Sequence, residues 1–129
     1  MGYRSEVAIS LSKKDMQRLF AEAAAVSLAP GALEEYEGNT PDKLLSLGDI
    51  RDYDTDDGPW QILYFEDIKW YEGYFKDVDW VMDFIGRLEE TQYHYIRIFE
   101  NEADRIDERG NPPEKFMEPY CEAHIVFDS

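Results

Sequence analysis

Three aspartates at alternate positions, Asp52, Asp54 and Asp56, have the 1-3-5 spacing of a calcium-binding loop. A complete loop also needs Gly at its sixth position and Glu at its twelfth. Here those positions hold Asp57 and Leu63, and Gly58 falls one place late. The ligand set is incomplete, so no metal is expected, and the run Asp54-Thr55-Asp56-Asp57-Gly58-Pro59 reads as a solvated acidic turn. Cys121 and His124 raise a second chemistry, a nucleophile pair or a zinc site. Structural zinc takes four ligands, mostly Cys and His, and the chain has 1 Cys and 2 His. In an alternating strand Cys121 and His124 also point to opposite faces, so Cys121 reads as a small buried hydrophobe. Among 29 acidic residues, pairs such as Glu66-Asp67 and Glu89-Glu90 arise by number alone, and no spacing marks one as catalytic. The glycines are isolated, so there is no phosphate-cradling loop. Neither a catalytic residue nor a cofactor is expected.

The chemistry that remains is recognition. The segment from Ile68 to Trp80, with Trp70, Tyr71 and Tyr74 ahead of Asp77 and Asp79, has two readings. In one, Trp70, Tyr74 and Trp80 seal a strand-to-helix corner of the core. In the other, the segment is an exposed aromatic and acidic patch, because Trp and Tyr anchor binding hot spots and acids select a basic partner and speed encounter. Residues 49–83 hold 11 acids against 3 bases, a net charge of −8. The candidate partner-binding residues are Asp52, Asp54, Asp56, Asp57, Trp70, Tyr71, Glu72, Tyr74, Asp77 and Asp79.

The whole chain carries −16 on 129 residues, yet it is 43% hydrophobic and 15% aromatic. Disordered acidic chains are poor in large apolar residues; this one has enough of them to fold as one domain, 1–129, with a core of its own. Its single cysteine excludes an internal disulfide framework. Phosphate repels carboxylate, so a direct nucleic-acid ligand is not expected. No apolar stretch reaches the roughly 20 residues that span a bilayer, and residues 1–6 resemble neither a signal nor a transit peptide. A cytoplasmic protein without a membrane partner is the expectation.

The elements that must hold these residues follow from periodicity. Tyr3–Leu11 alternates with Val7, Ile9 and Leu11 on one side, a half-buried strand. Ser12 caps a helix over Lys13–Ser27, with Met16, Leu19, Phe20 and Ala23 as its stripe. Thr40-Pro41 opens a short helix through Leu47. Asp49–Tyr53 and Trp60–Trp70 flank the acidic turn as a hairpin, with Ile62, Ile68 and Trp70 on one face. A helix is predicted over Asp77–Glu90, buried through Val78, Val81, Met82, Ile85 and Leu88. Tyr93–Glu100 and Cys121–Phe127 are strands, and Asn101–Pro113 is a polar loop. Val7, Ile9, Leu19, Phe20, Ile62, Val81, Ile85, Ile96 and Ile125 should be core. Mixed strands and helices with hairpin links give an α+β two-layer sandwich, a mainly antiparallel sheet with helices on one face.

Three blocks, Gly2-Tyr3-Arg4-Ser5-Glu6-Val7, Lys69-Trp70-Tyr71-Glu72-Gly73-Tyr74 with Asp77-Val78-Asp79, and Arg97-Ile98-Phe99-Glu100-Asn101-Glu102, resemble a family of small acidic phage and prophage proteins with an N-terminal Gly-Tyr-Arg-Ser motif. Phe99 stands where the family pattern has Gly. The resemblance implies a phage origin and transfers no catalytic residue. Three functions fit the sequence. One is a phage accessory protein that binds, and inhibits, a basic host protein, in its extreme form as a DNA mimic, since duplex DNA presents about one charge per 1.7 Å. Another is a small enzyme or nucleotide-binding domain using clustered carboxylates. The third is an acidic surface tuned for solubility, with no charge-based partner.

Overall fold

Ser12 ends one element and starts the next. Its Oγ accepts the Asp15 N–H at 3.1 Å, the reciprocal of its place at the end of β1 (Ser5–Ser12) and the start of α1 (Lys13–Leu28). The computed structural model describes residues 4–99, 102–120 and 124–127, with backbone alone for 102–105, 118–120, 124 and 126. After α1 come two short helices, α2 (Ala32–Glu35) and α3 (Pro41–Ser46). The hairpin β2 (Asp49–Thr55) and β3 (Gly58–Ile68) follows, then α4 (Lys76–Gly86) and a single 3-10 turn, Glu90–Gln92. The chain continues as β4 (Tyr93–Phe99), β5 (Glu102–Arg109), β6 (Met117–Tyr120) and β7 (His124–Phe127).

Five strands form one antiparallel sheet in the order β2-β3-β1-β4-β5, and β6 pairs with β7. Because β1 is antiparallel to both neighbours, β3 and β4 run parallel on either side of it, joined across it by α4. In the same way β1 and β2 run parallel on either side of β3. The first four strands thus form the split β-α-β arrangement called ferredoxin-like. Such crossovers share one hand, and both put their helices on the same face. The architecture is α+β with helices on one face of an antiparallel sheet, as the sequence predicts.

The helix-side core holds Val7, Ile9, Leu11, Leu19, Leu63, Phe65, Val81, Phe84, Ile85 and Tyr95. The opposite face is covered as well: Ala8, Ile62, Ile96 and Ile98 pack against Met117 of β6 and Ile125 of β7. Strand β1 is therefore buried on both sides rather than half-buried. Its polar side consists of the small Ala8 and Ser10 and of Glu6, which is 9% exposed. The Glu6 carboxylate accepts the Tyr64 hydroxyl and, at 2.6 Å, the Ile125 N–H.

Several expectations change. Three residues of β1, Ser5 to Val7, face four of β3, Ile68 back to Phe65, so that Glu6 alone lies opposite Glu66 and Asp67. This bulge at Glu66-Asp67 shifts the alternation, so Ile68 and Trp70 join Leu63 and Phe65 in the helix-side core, away from Ile62. Helix α4 stops at Gly86, four residues before the predicted end. Phe84 fills the stripe in place of Met82 and Leu88, which are half-buried. Phe20 is also only half-buried. Thr40 gives its hydroxyl to Asp42 at 2.5 Å instead of capping α3. The predicted loop over Asn101–Pro113 contains β5. As an edge strand with one neighbour it can be charged on both faces, so it shows no hydrophobic period. Cys121 lies outside the described residues.

Candidate binding surface

The hairpin β2–β3 carries the first four candidate residues. Arg51 and Tyr53 face away from the helices. The Arg51 guanidinium lies 4.4 Å from the Phe127 ring centroid and 5.5 Å from that of Tyr64, and Tyr53 stacks on Phe116 at 5.1 Å. Alternation then places Ile50, Asp52 and Asp54 on the helix side of this edge strand. Asp52 accepts the Gln61 amide at 2.8 Å. At the turn, the Thr55 hydroxyl donates to the Gly58 carbonyl (2.7 Å) and accepts the Asp57 N–H (3.0 Å). The backbone N–H of Asp56 donates to Glu114 Oε1 at 3.1 Å, which draws a further carboxylate to the tip. Asp54, Asp56 and Asp57 are exposed, and none of them forms an ion pair with a described residue. In an extended strand, alternate carboxylates step outward by about 6.7 Å rather than converging. Among the described residues no group of three or more His, Cys, Asp or Glu could hold a metal ion.

The remaining candidates sit at the other end of β3, roughly 33 Å away at about 3.3 Å per residue. Trp70 is fully buried, with its ring centroid 5.4 Å from that of Phe65. It belongs to the core and not to a contact surface, because its neighbours on the strand side follow the bulge inward. Its Nε1 has no hydrogen-bond partner among the described residues. Tyr71 is half-buried with its ring tilted on that of Phe75 at 5.1 Å. Glu72 is held by Arg109 at 3.0 Å, and the same guanidinium holds Asp107 at 2.7 Å. Asp79 accepts the N–H of Gly73, whose φ of 85° suits glycine, at 2.7 Å. Asp77 accepts the Val78 N–H at 2.8 Å. Half-burial, with the nearby Asp79 carboxylate, pushes the Asp77 carboxyl above the ordinary carboxylate range despite that bond. Glu72, Asp77 and Asp79 therefore tie the corner together, and Tyr74 alone projects fully, 85% exposed. The ten candidates form two separate groups, one at each end of β3, rather than one surface.

Beside this corner lies a groove of about 350 Å³ that sequence reasoning did not anticipate. Leu47, the last residue of the predicted short helix, caps the C-terminus of α3 and lines the groove at 70% exposure. The residues that meet there come from three separate stretches of the chain, Arg4, 36–47 and 68–77, so no local spacing signals them.

No protein-family model matches the chain, and neither a curated protein nor a solved structure shows detectable similarity to it. A split β-α-β topology hosts many unrelated activities, so any functional argument rests on the sites themselves. No helix among the described residues is long and apolar enough to cross a membrane.

Proposed function

We propose that this protein is a binding module that docks the tip of the β2–β3 hairpin onto a basic protein surface, as a phage accessory factor occluding the nucleic-acid-binding face of a host protein. One observation carries the reading. The tip gathers Asp54, Asp56, Asp57 and Glu114 without a compensating ion pair among the described residues, while Arg51, the base of the hairpin, is turned onto Tyr64 and Phe127 on the other face. Uncompensated charge of one sign speeds encounter with the opposite sign and loses its reach beyond a Debye length, about 8 Å at physiological salt.

The test uses immobilised protein, a clarified bacterial lysate and the triple reversal Asp54→Lys, Asp56→Lys and Asp57→Lys. All three side chains are exposed, so the fold should persist. The reading expects basic proteins to be retained at low salt, released by salt or by competing duplex DNA, and bound by the triple variant at least about tenfold more slowly. If a retained partner binds the triple variant with the same rate and salt dependence, the tip is not the contact.

A further inference from the structure

The groove beside Tyr74 combines a concavity, exposed apolar side chains and both signs of charge. Its floor is Leu44 and Ile68, and its rim is Leu47, Tyr74 and Phe75, which are 70%, 85% and 38% exposed. Contiguous exposed apolar groups of this kind mark contact surfaces, and an exposed tyrosine beside a concavity is a common anchor. The knob is held firmly. The N–H groups of Tyr74 and Phe75 both donate to the Tyr71 carbonyl, at 3.2 and 3.0 Å, and Asp79 clamps Gly73 from below.

The charge around the groove is mixed. Arg4, Lys69 and Lys76 line it together with Glu37 and Asp77. Arg4 is held by Asp67 at 3.9 Å, whereas Lys69 and Lys76 form no ion pair with a described residue. A local excess of one positive charge on a chain of −16 is unusual.

We propose that the groove is a self-association face on which a second copy of this chain docks about a two-fold axis. An isologous interface needs a patch complementary to itself. Here the knob (Tyr74) and the hole lie side by side, and both signs of charge surround one apolar centre. A two-fold axis brings the Lys69 and Lys76 of each copy toward the Glu37 and Asp77 of the other. A small anionic ligand would meet those two carboxylates, and a purely apolar one would leave the lysines without partners; a second copy answers both. Two chains of −16 repel over most of their surfaces, and the groove is where that repulsion is locally cancelled. If the hairpin reading above also holds, the dimer presents two acidic tips, each roughly 33 Å from the groove along β3, and gains avidity for a repeated basic surface.

The salt dependence separates the two readings. Screening weakens capture of a basic partner, but it strengthens association of two like-charged copies. Sedimentation velocity over a concentration series, at low and high salt, is the measurement. The mass should rise from 15.2 kDa toward twice that value, and more readily at high salt. Tyr74→Glu and Leu47→Glu, both at exposed positions, should remain at monomer mass with an unchanged circular dichroism spectrum. Lys76→Glu and Glu37→Lys should each weaken the dimer about tenfold, near 1.4 kcal/mol, and their equimolar mixture should recover it. Three results would each overturn the proposal: monomer mass under every condition, a dimer that none of these variants weakens, or a monomer whose groove takes up the apolar anion anilinonaphthalene sulfonate in a Tyr74-dependent way.

Discussion

Replacing Glu6 by Ala is the sharpest probe of how the second face of the sheet is closed. Glu6 is 9% exposed, and its carboxylate accepts two donors that come from distant parts of the chain: the Tyr64 hydroxyl on β3 and the Ile125 N–H on β7, 119 residues away. Burial first, and then the bond to Glu6, push the Tyr64 hydroxyl well above its ordinary value of 10.0, so it stays a donor throughout the accessible pH range. Hydrogen bonds to a charged group contribute about 1.5–3 kcal/mol each, and an orphaned buried donor costs a similar amount. Tyr64 is half-buried and can recover a water, whereas the Ile125 N–H is buried. The expected net loss is therefore about 3 kcal/mol, near the lower end of the sum for two bonds. With an unfolding entropy near 2.1 cal/mol/K per residue over this length, that is a fall in Tm of roughly 11 °C. Thermal unfolding followed by circular dichroism measures it. Hydrogen exchange should show the Ile125 amide losing protection while the amides of β1 keep theirs. Gln at position 6 accepts one donor but turns an NH2 toward the other, so it should fall between Glu and Ala. A loss under about 1 kcal/mol, or unchanged protection at Ile125, would refute the claim that this carboxylate pins β7 to the sheet.

Two other perturbations test local features of the fold. His94 is 1% exposed, with Nε2 2.6 Å from Glu108; burial holds its pKa below the ordinary 6.5 despite that carboxylate. A depressed histidine leaves the unfolded chain binding the proton more readily, so stability should fall as pH drops through 6.5, and His94→Gln should flatten that limb of a Tm-against-pH curve. A Cβ at Gly110 would lie 2.1 Å from the Tyr93 carbonyl oxygen, and its φ is 89°, so Gly110→Ala should cost roughly 2–3 kcal/mol in a denaturant titration. A loss no larger than the ordinary surface range of about 0.5 kcal/mol would mean that the turn relaxes freely.

The amphipathic elements could be read from the sequence because each carries a one-sided pattern that burial then uses. Ser12 and the Met16, Leu19, Ala23 stripe led directly to β1 and α1, and the acidic turn between Asp49–Tyr53 and Trp60–Trp70 led directly to the hairpin. Three things were hidden. The Glu66-Asp67 bulge inverts the faces of everything after Phe65, and a single inserted residue leaves no compositional mark. Strand β5 is charged because it is an edge, so its residues imitate a loop. The closure of the second face depends on Glu6, a charged residue that alternation assigns to water until a partner 119 residues away is supplied. The candidate surface was legible as composition only. The sequence showed that residues 49–83 are acidic and aromatic, but β3 carries those residues to two sites at opposite ends of the strand.

That separation bears on why the acids are concentrated at all. Asp52 sits within an edge strand, where charge blocks pairing with another sheet, so its presence has a local explanation. Asp56 and Asp57 at the turn, with Glu114 drawn against them, do not guard an edge. Like-charged carboxylates gathered at one turn repel one another, so the tip is held together against its own charge. Solubility alone is served at lower cost by interspersing both signs, as the Arg18 pairs with Asp15 and Glu22 do on α1. Concentrating one sign where the sheet gains nothing from it is the arrangement that a cationic partner would relieve, and for that reason the turn, rather than the strand behind it, is where charge reversal should act.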